Sequence, residues 1–124
     1  MKKIVSILLV LVMVLSFAAC SKAPVAEFKI LDTDGTLLYE FEAEITEGAT
    51  AGSLLEDYLK ANNIDYTIVD GTMLNNIGDR ANDTETWSVY WAVYLNGEYG
   101  QLGLWEQTLE DGDLVELKYE ESNF

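Results

Sequence analysis

The chain has 124 residues, with 22 acidic and 7 basic side chains, one cysteine and no histidine, which is the length of one ordinary domain. Without histidine and with a single thiol it cannot assemble a Ser-His-Asp triad, a Cys/His zinc set or an internal disulfide. The net charge of −15 repels phosphate backbones and anionic headgroups, so nucleic acid is not an expected partner and any membrane attachment has to be covalent.

Lys2 and Lys3 precede an apolar run from Ile4 to Ala19, and the run ends in Phe17-Ala18-Ala19-Cys20. A basic start, a short apolar stretch and small residues at the end are the organisation of a signal peptide, too short for a comfortable membrane span. The Ala18-Ala19-Cys20 ending resembles a bacterial lipobox, with Phe17 a less usual residue there than Leu. That reading makes residues 1–19 a cleaved signal peptide and Cys20 a lipidated N-terminus. Residues 20–25 become a short tether, and the protein is expected outside the cytoplasm, anchored at the cell membrane surface. Each buried methylene contributes about 0.8 kcal/mol, so two or three acyl chains hold a soluble domain to a bilayer. Cleavage removes two lysines and no acid, taking the charge from −15 to −17.

In the remainder, Phe28 and Ile30 alternate with Glu27 and Lys29, Asp32-Thr33-Asp34-Gly35 supplies turn residues, and Tyr39, Phe41, Ala43 and Ile45 alternate with glutamates. This predicts a hairpin with one buried face. Leu54, Leu55, Tyr58 and Leu59 have helical spacing between Thr50 and Asn63, with Thr50 or Ser53 as N-cap, a capping-box spacing from Ser53 to Glu56, and Asn62-Asn63 as the exit. Tyr66 to Val69 is rich in β-formers. Residues 70–86 carry Asn, Asp and Gly around Met73, Leu74 and Ile77 and predict a loop pinned by three apolar side chains.

Trp87 to Leu95 is the strongest strand pattern, with Trp91 in the core facing Leu55 and Leu59 and with Tyr90 and Tyr94 on the opposite face. Asn96-Gly97 ends it with a hairpin signal, and Asp111-Gly112 precedes a last strand through Leu117 and Tyr119. Residues 121–124 read as a tail. The whole is α+β: a hairpin, one crossing helix, then further strands in a mixed, β-grasp-like sheet.

Asn75-Asn76-Ile77-Gly78, then Trp87, Trp91, Tyr94, Leu95-Asn96-Gly97, Gly103 and Leu109 to Asp113 followed by Leu117-Lys118-Tyr119 resemble the domain family DUF4430. That family is similar to the C-terminal β-grasp domain of transcobalamin and intrinsic factor, the vitamin B12 carriers, and the resemblance spans a domain at 26–120. It implies a non-catalytic module that binds cobalamin or another corrinoid, alone or as half of a two-protein site, because the carriers clamp their ligand against a large helical barrel for which this chain has no room. No cofactor is required beyond such a bound ligand.

Independently of the resemblance, the tract from Glu98 to Trp105 joins two strands and carries Tyr99, Gln101, Leu102, Leu104 and Trp105 among flexible glycines that include Gly103. Such a loop can cover a flat ligand while its backbone approaches polar edges. Alternatively, Leu104 and Trp105 pack on the sheet rim and Tyr99 caps a hairpin. Tyr90 and Tyr94 form either an aromatic shelf or a cover for the sheet edge. In the carriers this loop leans over the corrin, so the resemblance points to the same residues. A protein or polymer interaction module of the cell envelope, with no small ligand, is the competing reading.

Metal and catalytic readings are thinner. Asp32-x-Asp34-Gly35 matches half of a calcium loop, but Ala43 stands at the twelfth position, where a bidentate Glu is needed. Turn chemistry accounts for it and for Asp111-Gly112-Asp113. Glycoside hydrolysis needs two carboxyl groups roughly 5 to 10 Å apart across a cleft, which so small a sheet does not supply. No nucleophile and base pair can be assembled, and the expectation is a protein that captures and does not catalyse.

Overall fold

The computed structural model describes residues 23–122. Residues 1–19, the lipidation candidate Cys20, and Ser21, Lys22, Asn123 and Phe124 lie outside the described residues. The elements are β1 (Val25–Leu31), β2 (Leu37–Glu44), α1 (Ala51–Ala61), β3 (Tyr66–Val69), β4 (Met73–Ile77), β5 (Arg80–Ala81), β6 (Val89–Leu95), β7 (Glu98–Tyr99) and β8 (Leu114–Glu121). A five-stranded sheet runs in the order β2-β1-β8-β6-β7, and β3-β4-β5 form a second, smaller sheet.

The first and last strands lie side by side and parallel, from Glu27 opposite Leu114 to Leu31 opposite Lys118, whereas every other pair in the large sheet is antiparallel. With α1 carrying the chain between the hairpin and the later strands, this is the β-grasp arrangement. Alternation on β1 buries Ala26, Phe28 and Ile30 against Val115 and Leu117 of β8, and α1 adds Leu54, Leu55 and Leu59 to the same cluster. Apart from Ala26, side chains buried this completely contribute about 1.5–3 kcal/mol each. Phe28 stacks on Phe41 with ring centroids 4.7 Å apart, and Phe41 stacks on Tyr58 of α1 at 3.8 Å, which fixes the helix over the hairpin.

Thr50 is the N-cap of α1. Its Oγ1 accepts from the Ser53 N–H at 3.1 Å while the Ser53 hydroxyl accepts from the Thr50 N–H at 2.9 Å, so Ser53 is the third helical residue and the capping box is Thr50-Ser53. A cap of this kind is worth about 1 kcal/mol. Asn62 closes the helix and Asn63 leaves it at φ 56°.

Residues 70–86 are not the loop that their composition predicts. Asp70-Gly71, both at positive φ, turn β3 into β4, and Gly78 at φ 60° with Asp79 turns β4 into β5. Leu74 and Ile77 point inward, and Asn75 and Asn76 are tolerated because this narrow sheet keeps them partly exposed. At the other end, β6 begins at Val89, with Trp87 set before it at φ 56°. Strand β8 continues through Glu121 into the stretch read as a tail, and Val25 at the end of the expected tether already belongs to β1.

Polar contacts pin the small sheet to the large one. Asn82, the one buried polar residue among those described, donates from Nδ2 to the Leu74 carbonyl at 2.9 Å and accepts the Trp91 N–H on Oδ1 at 2.7 Å. The Trp91 indole N–H donates to the Arg80 carbonyl at 2.9 Å, the Tyr119 hydroxyl to the Ala81 carbonyl at 2.6 Å, and Arg80 pairs with Asp32 at 2.8 Å. On the far edge, Ile45 N–H donates to the Pro24 carbonyl at 2.8 Å, a phase that turns the main-chain groups of Glu40, Glu42 and Glu44 outward from the sheet.

Asn82→Ala leaves the Trp91 N–H and the Leu74 carbonyl without their amide partner inside the protein. The expected loss is about 1–3 kcal/mol, read by differential scanning calorimetry as a melting midpoint lowered by at least about 4 °C. Asn75→Ala, at a partly exposed amide on the same small sheet, should shift stability by no more than about 0.5 kcal/mol.

Candidate functional site

Strand β6 is paired with β8 along its whole length, but its other side is paired only at Tyr94 and Leu95, with the two residues of β7. Asn96 at φ 51° and Gly97 at φ 85° make the tight turn between them, the backbone that an Asn-Gly pair adopts at least cost. Beyond β7, the Gly100 N–H donates to the Val93 carbonyl at 2.9 Å and the chain swings from the sheet to the start of α1. There the Gly52 and Ala51 N–H groups donate to the carbonyls of Leu104 and Gln107 at 2.8 and 2.9 Å. The loop thus satisfies donors that a helix start leaves open.

The anchored part of this loop includes two of the residues expected to meet a ligand. Leu104 is buried at 4% exposure. Trp105 is half-buried with its indole on Gly52, where a Cβ would stand within 2.7 Å of three indole atoms. Its Nε1–H donates to Glu56 Oε1 at 2.6 Å, and the other oxygen of Glu56 accepts from the Tyr66 hydroxyl at 3.0 Å. One helix carboxylate therefore ties loop and small sheet together, and burial followed by that hydrogen bond raises the Tyr66 pKa. Leu104 and Trp105 act as feet, and the exposed tip is limited to Tyr99, Gln101, Leu102 and Gly103.

Tyr99 and Leu102 are 58% and 50% exposed, and Met73 of β4 faces them at 37%. Leu37 is the other exposed large apolar side chain among the described residues, on β2. Between the loop tip and β4 lies a hollow of about 150 Å³ walled by Thr72, Met73, Tyr99, Gly100, Leu102 and Gly103 and floored by Leu74, Trp91, Val93 and Leu104. A wider hollow of about 450 Å³ adjoins it, lined by Met73, Asn82, Trp87, Tyr90, Trp91 and Tyr99. Met73, Trp91 and Tyr99 border both, so the two make one groove along the unpaired stretch of β6.

The structure thus brings together Tyr90, Tyr99, Leu102, Gly103 and, as floor, Leu104. It sets Gln101 on the outside and turns Trp105 to the helix. Tyr94 lies behind Tyr99, edge to face with centroids 5.7 Å apart, and the Lys118 ammonium stands 4.4 Å over its ring. The Tyr94 hydroxyl donates to Glu120 at 2.7 Å, and that bond, with burial, pushes its pKa up to about 12. Trp91 is buried as its alternation predicts, with its ring 5.0 Å from that of Tyr119. Sequence reasoning missed Thr72, Met73, Asn82 and Trp87 as walls. The signal open to it was a run of three apolar residues, Met73, Leu74 and Ile77, inside an otherwise polar stretch.

The carboxylates of the acidic turns each accept from donors of the protein itself. Asp32 accepts from the Thr33 N–H and from Arg80, and its pKa is lowered by the Arg80 bond first. Asp34 accepts from the Thr36 N–H. Asp111 accepts the Val25 N–H, and Asp113 accepts from Glu110 N–H and the Asn96 amide. Asp83 gathers the Glu85 and Thr86 N–H groups and the Thr86 and Ser88 hydroxyls, which lowers its pKa to about 2, the Thr86 hydroxyl contributing most.

Two outcomes follow from these contacts. Gly52→Ala should lift the Trp105 indole from the helix at a cost of about 1–3 kcal/mol, with the Trp105 indole N–H resonance losing the shift that its carboxylate bond gives it. Because the folded pKa of Asp83 lies below the ordinary 3.8, its contribution is complete above that pH and disappears as pH falls through about 2. An NMR titration of the Trp87 and Ser88 amides should show that step in the wild type and not in Asp83→Asn.

The family model described as a domain of unknown function, DUF4430, matches residues 48–121. No curated protein matches the sequence. Among solved structures, the chain is similar to a candidate metal-binding protein from Ruminococcus gnavus ATCC 29149, with a TM-score of 0.58 and 20% identity over 80% of this chain and 98% of that one. It is also similar to haptocorrin in complex with Cbi, with a TM-score of 0.64 and 15% identity over 81% of this chain and 26% of that one. Both likenesses carry the fold. Since the matched span takes in α1, the small sheet, the looped hairpin and the final strand, the chain belongs to the DUF4430 family.

Proposed function

We propose that this protein is a non-catalytic ligand-binding module, held outside the cytoplasm by a lipid on Cys20, whose ligand lies in the groove along β6. The observation that carries this is the gathering of Met73, Tyr99 and Leu102, three of the four exposed large apolar side chains among the described residues, around one concavity. Exposed apolar side chains scattered singly call for no explanation, but a cluster rimming a hollow on a rigid frame has the character of a site. The frame here is rigid because the loop feet, Leu104 and Trp105, are fixed to α1.

A corrinoid is the ligand class that the fold likeness to haptocorrin with Cbi favours. The groove is open on one side, and this fold accounts for 26% of the haptocorrin chain. Both facts suit half of a clamp, completed by a second protein of the envelope. A flat, broad ligand would rest on Tyr99 and Leu102 while backbone groups at Gly100 and Gly103 approach its polar edge. The signal-peptide pattern and the cysteine that follows it support the anchor.

The test is a titration of the detergent-solubilised chain with cobinamide and with cobalamin. At a ligand concentration about a hundredfold above the dissociation constant, binding should stabilise the fold by about 2.7 kcal/mol, a rise of several degrees in melting midpoint. Tyr99→Ala with Leu102→Ala should weaken binding at least about tenfold. Stabilisation that appears only with a co-purified partner would support the half-clamp. No visible-band change or stabilisation in either setting would leave the interaction-module reading, with no small ligand, in its place.

A further inference from the structure

We propose that the wider half of the groove, between Trp87, Tyr90 and Tyr99, is a site for a quaternary ammonium group. The inference rests on the ligand-binding reading of the groove and names the chemistry of this part of it. Four aromatic residues, Trp87, Tyr90, Trp91 and Tyr99, and the Met73 thioether line a hollow of about 450 Å³. Among the described residues neither Trp87 nor Tyr90 stacks on another ring, and Tyr99 meets only the edge-to-face contact with Tyr94 behind it. The rings are brought together at one hollow without being spent on one another.

The backbone keeps Trp87 there against its own preference. A tryptophan at φ 56° sits in the left-handed region that bulky L residues avoid, and it persists only where the surroundings over-determine it. They do so here. The Trp87 N–H donates to the Asp83 carbonyl at 2.7 Å, the Asp83 carboxylate holds the Thr86 and Ser88 hydroxyls at 2.7 and 2.9 Å, and Asp83 N–H is bonded to the Val89 carbonyl. The neighbouring wall is fixed equally well, since Asn82 spends its amide on Leu74 and Trp91.

That last fact selects the ligand chemistry. Asn82 is the lining side chain with a strong amide acceptor, and that oxygen is taken. The oxygen acceptors left on lining side chains are the Tyr90 and Tyr99 hydroxyls, too few for the three N–H groups of a primary ammonium, which would shed water without full replacement, a cost that a methylated nitrogen does not incur. Aromatic faces attract cations through their quadrupole, most strongly those that are weakly hydrated. The local field has the same sign: Glu120 stands opposite Tyr90 in the strand register, Asp83 adjoins Asn82, and no lysine or arginine lines the hollow. Lys118, opposite Ala92 in that register, and Arg80, whose carbonyl accepts from the Trp91 indole, are engaged elsewhere, over the Tyr94 ring and on Asp32.

The experiment follows tryptophan fluorescence of the full chain in detergent on titration with choline, with its neutral isostere 3,3-dimethylbutan-1-ol and with ethanolamine. Choline should bind with a dissociation constant in the millimolar range, at least about tenfold more tightly than either control. Trp87→Leu and Tyr90→Leu, with folding checked by circular dichroism, should each lower that affinity several-fold. Phosphatidylcholine vesicles against free choline distinguish a lipid headgroup from a soluble ligand, and preference for either supports the site. Equal binding of the neutral isostere, or no response to choline up to about 100 mM, overturns the proposal without recourse to any variant. Corrinoid stabilisation in a chain that ignores choline would remove this inference alone, whereas failure of both titrations removes the ligand-binding reading with it.

Discussion

The parallel seam between β1 and β8 is the constraint on which the domain depends. It joins the two ends of the described chain within the five-stranded sheet, so the β2-β1 and β8-β6-β7 parts of that sheet are connected through it. The turn at residues 111–113 clips the seam shut: the Gly112 N–H donates to the Val25 carbonyl, the Glu27 N–H to the Asp113 carbonyl, and the Val25 N–H to the Asp111 carboxylate, each at 2.9 Å. The Asp111 carboxylate thereby fastens the start of the first strand, while that of Asp113 holds the turn through the Glu110 N–H and ties it to the Asn96 amide. Contacts of such sequence separation form late and at high entropic cost.

Around that seam the structure uses a few polar side chains to position apolar ones. Glu56 holds the loop and the small sheet from the helix, Asn82 holds the small sheet against the unpaired side of β6, and Asp83 holds the segment that presents Trp87. Each has both polar atoms of its head group bonded inside the protein. The groove is what remains between elements fixed in this way, and its walls come from three separate stretches of chain.

Much of the frame is legible in the sequence because it rests on periodicity. Alternation identifies β1, β2, β6 and β8, helical spacing identifies α1, and Asn96-Gly97 identifies the hairpin turn. Of the small sheet, β3 is legible in Tyr66 to Val69, whereas β4, with two asparagines in five residues, and the two-residue β5 look like loop when composition is counted. In the groove, Tyr90, Tyr99 and Leu102 could be nominated from residue type and position. The inward turn of Leu104 and Trp105 was one of two readings open to the sequence, but the landing of Trp105 on the helix was not legible, because it depends on Gly52, far earlier in the chain, leaving room for an indole. Nor could Met73 and Trp87 be placed opposite them, since that neighbourhood is created by Asn82 acting across two sheets.

The outer strand β2 has a bearing on how these molecules behave in company. Its unpaired main chain offers a template for another strand, but Glu40, Glu42 and Glu44 alternate along it and are all exposed. Two copies meeting there would set carboxylates directly against carboxylates, which opposes pairing. Crowded together, the domains would therefore stay apart along this edge and would not join back to back through it.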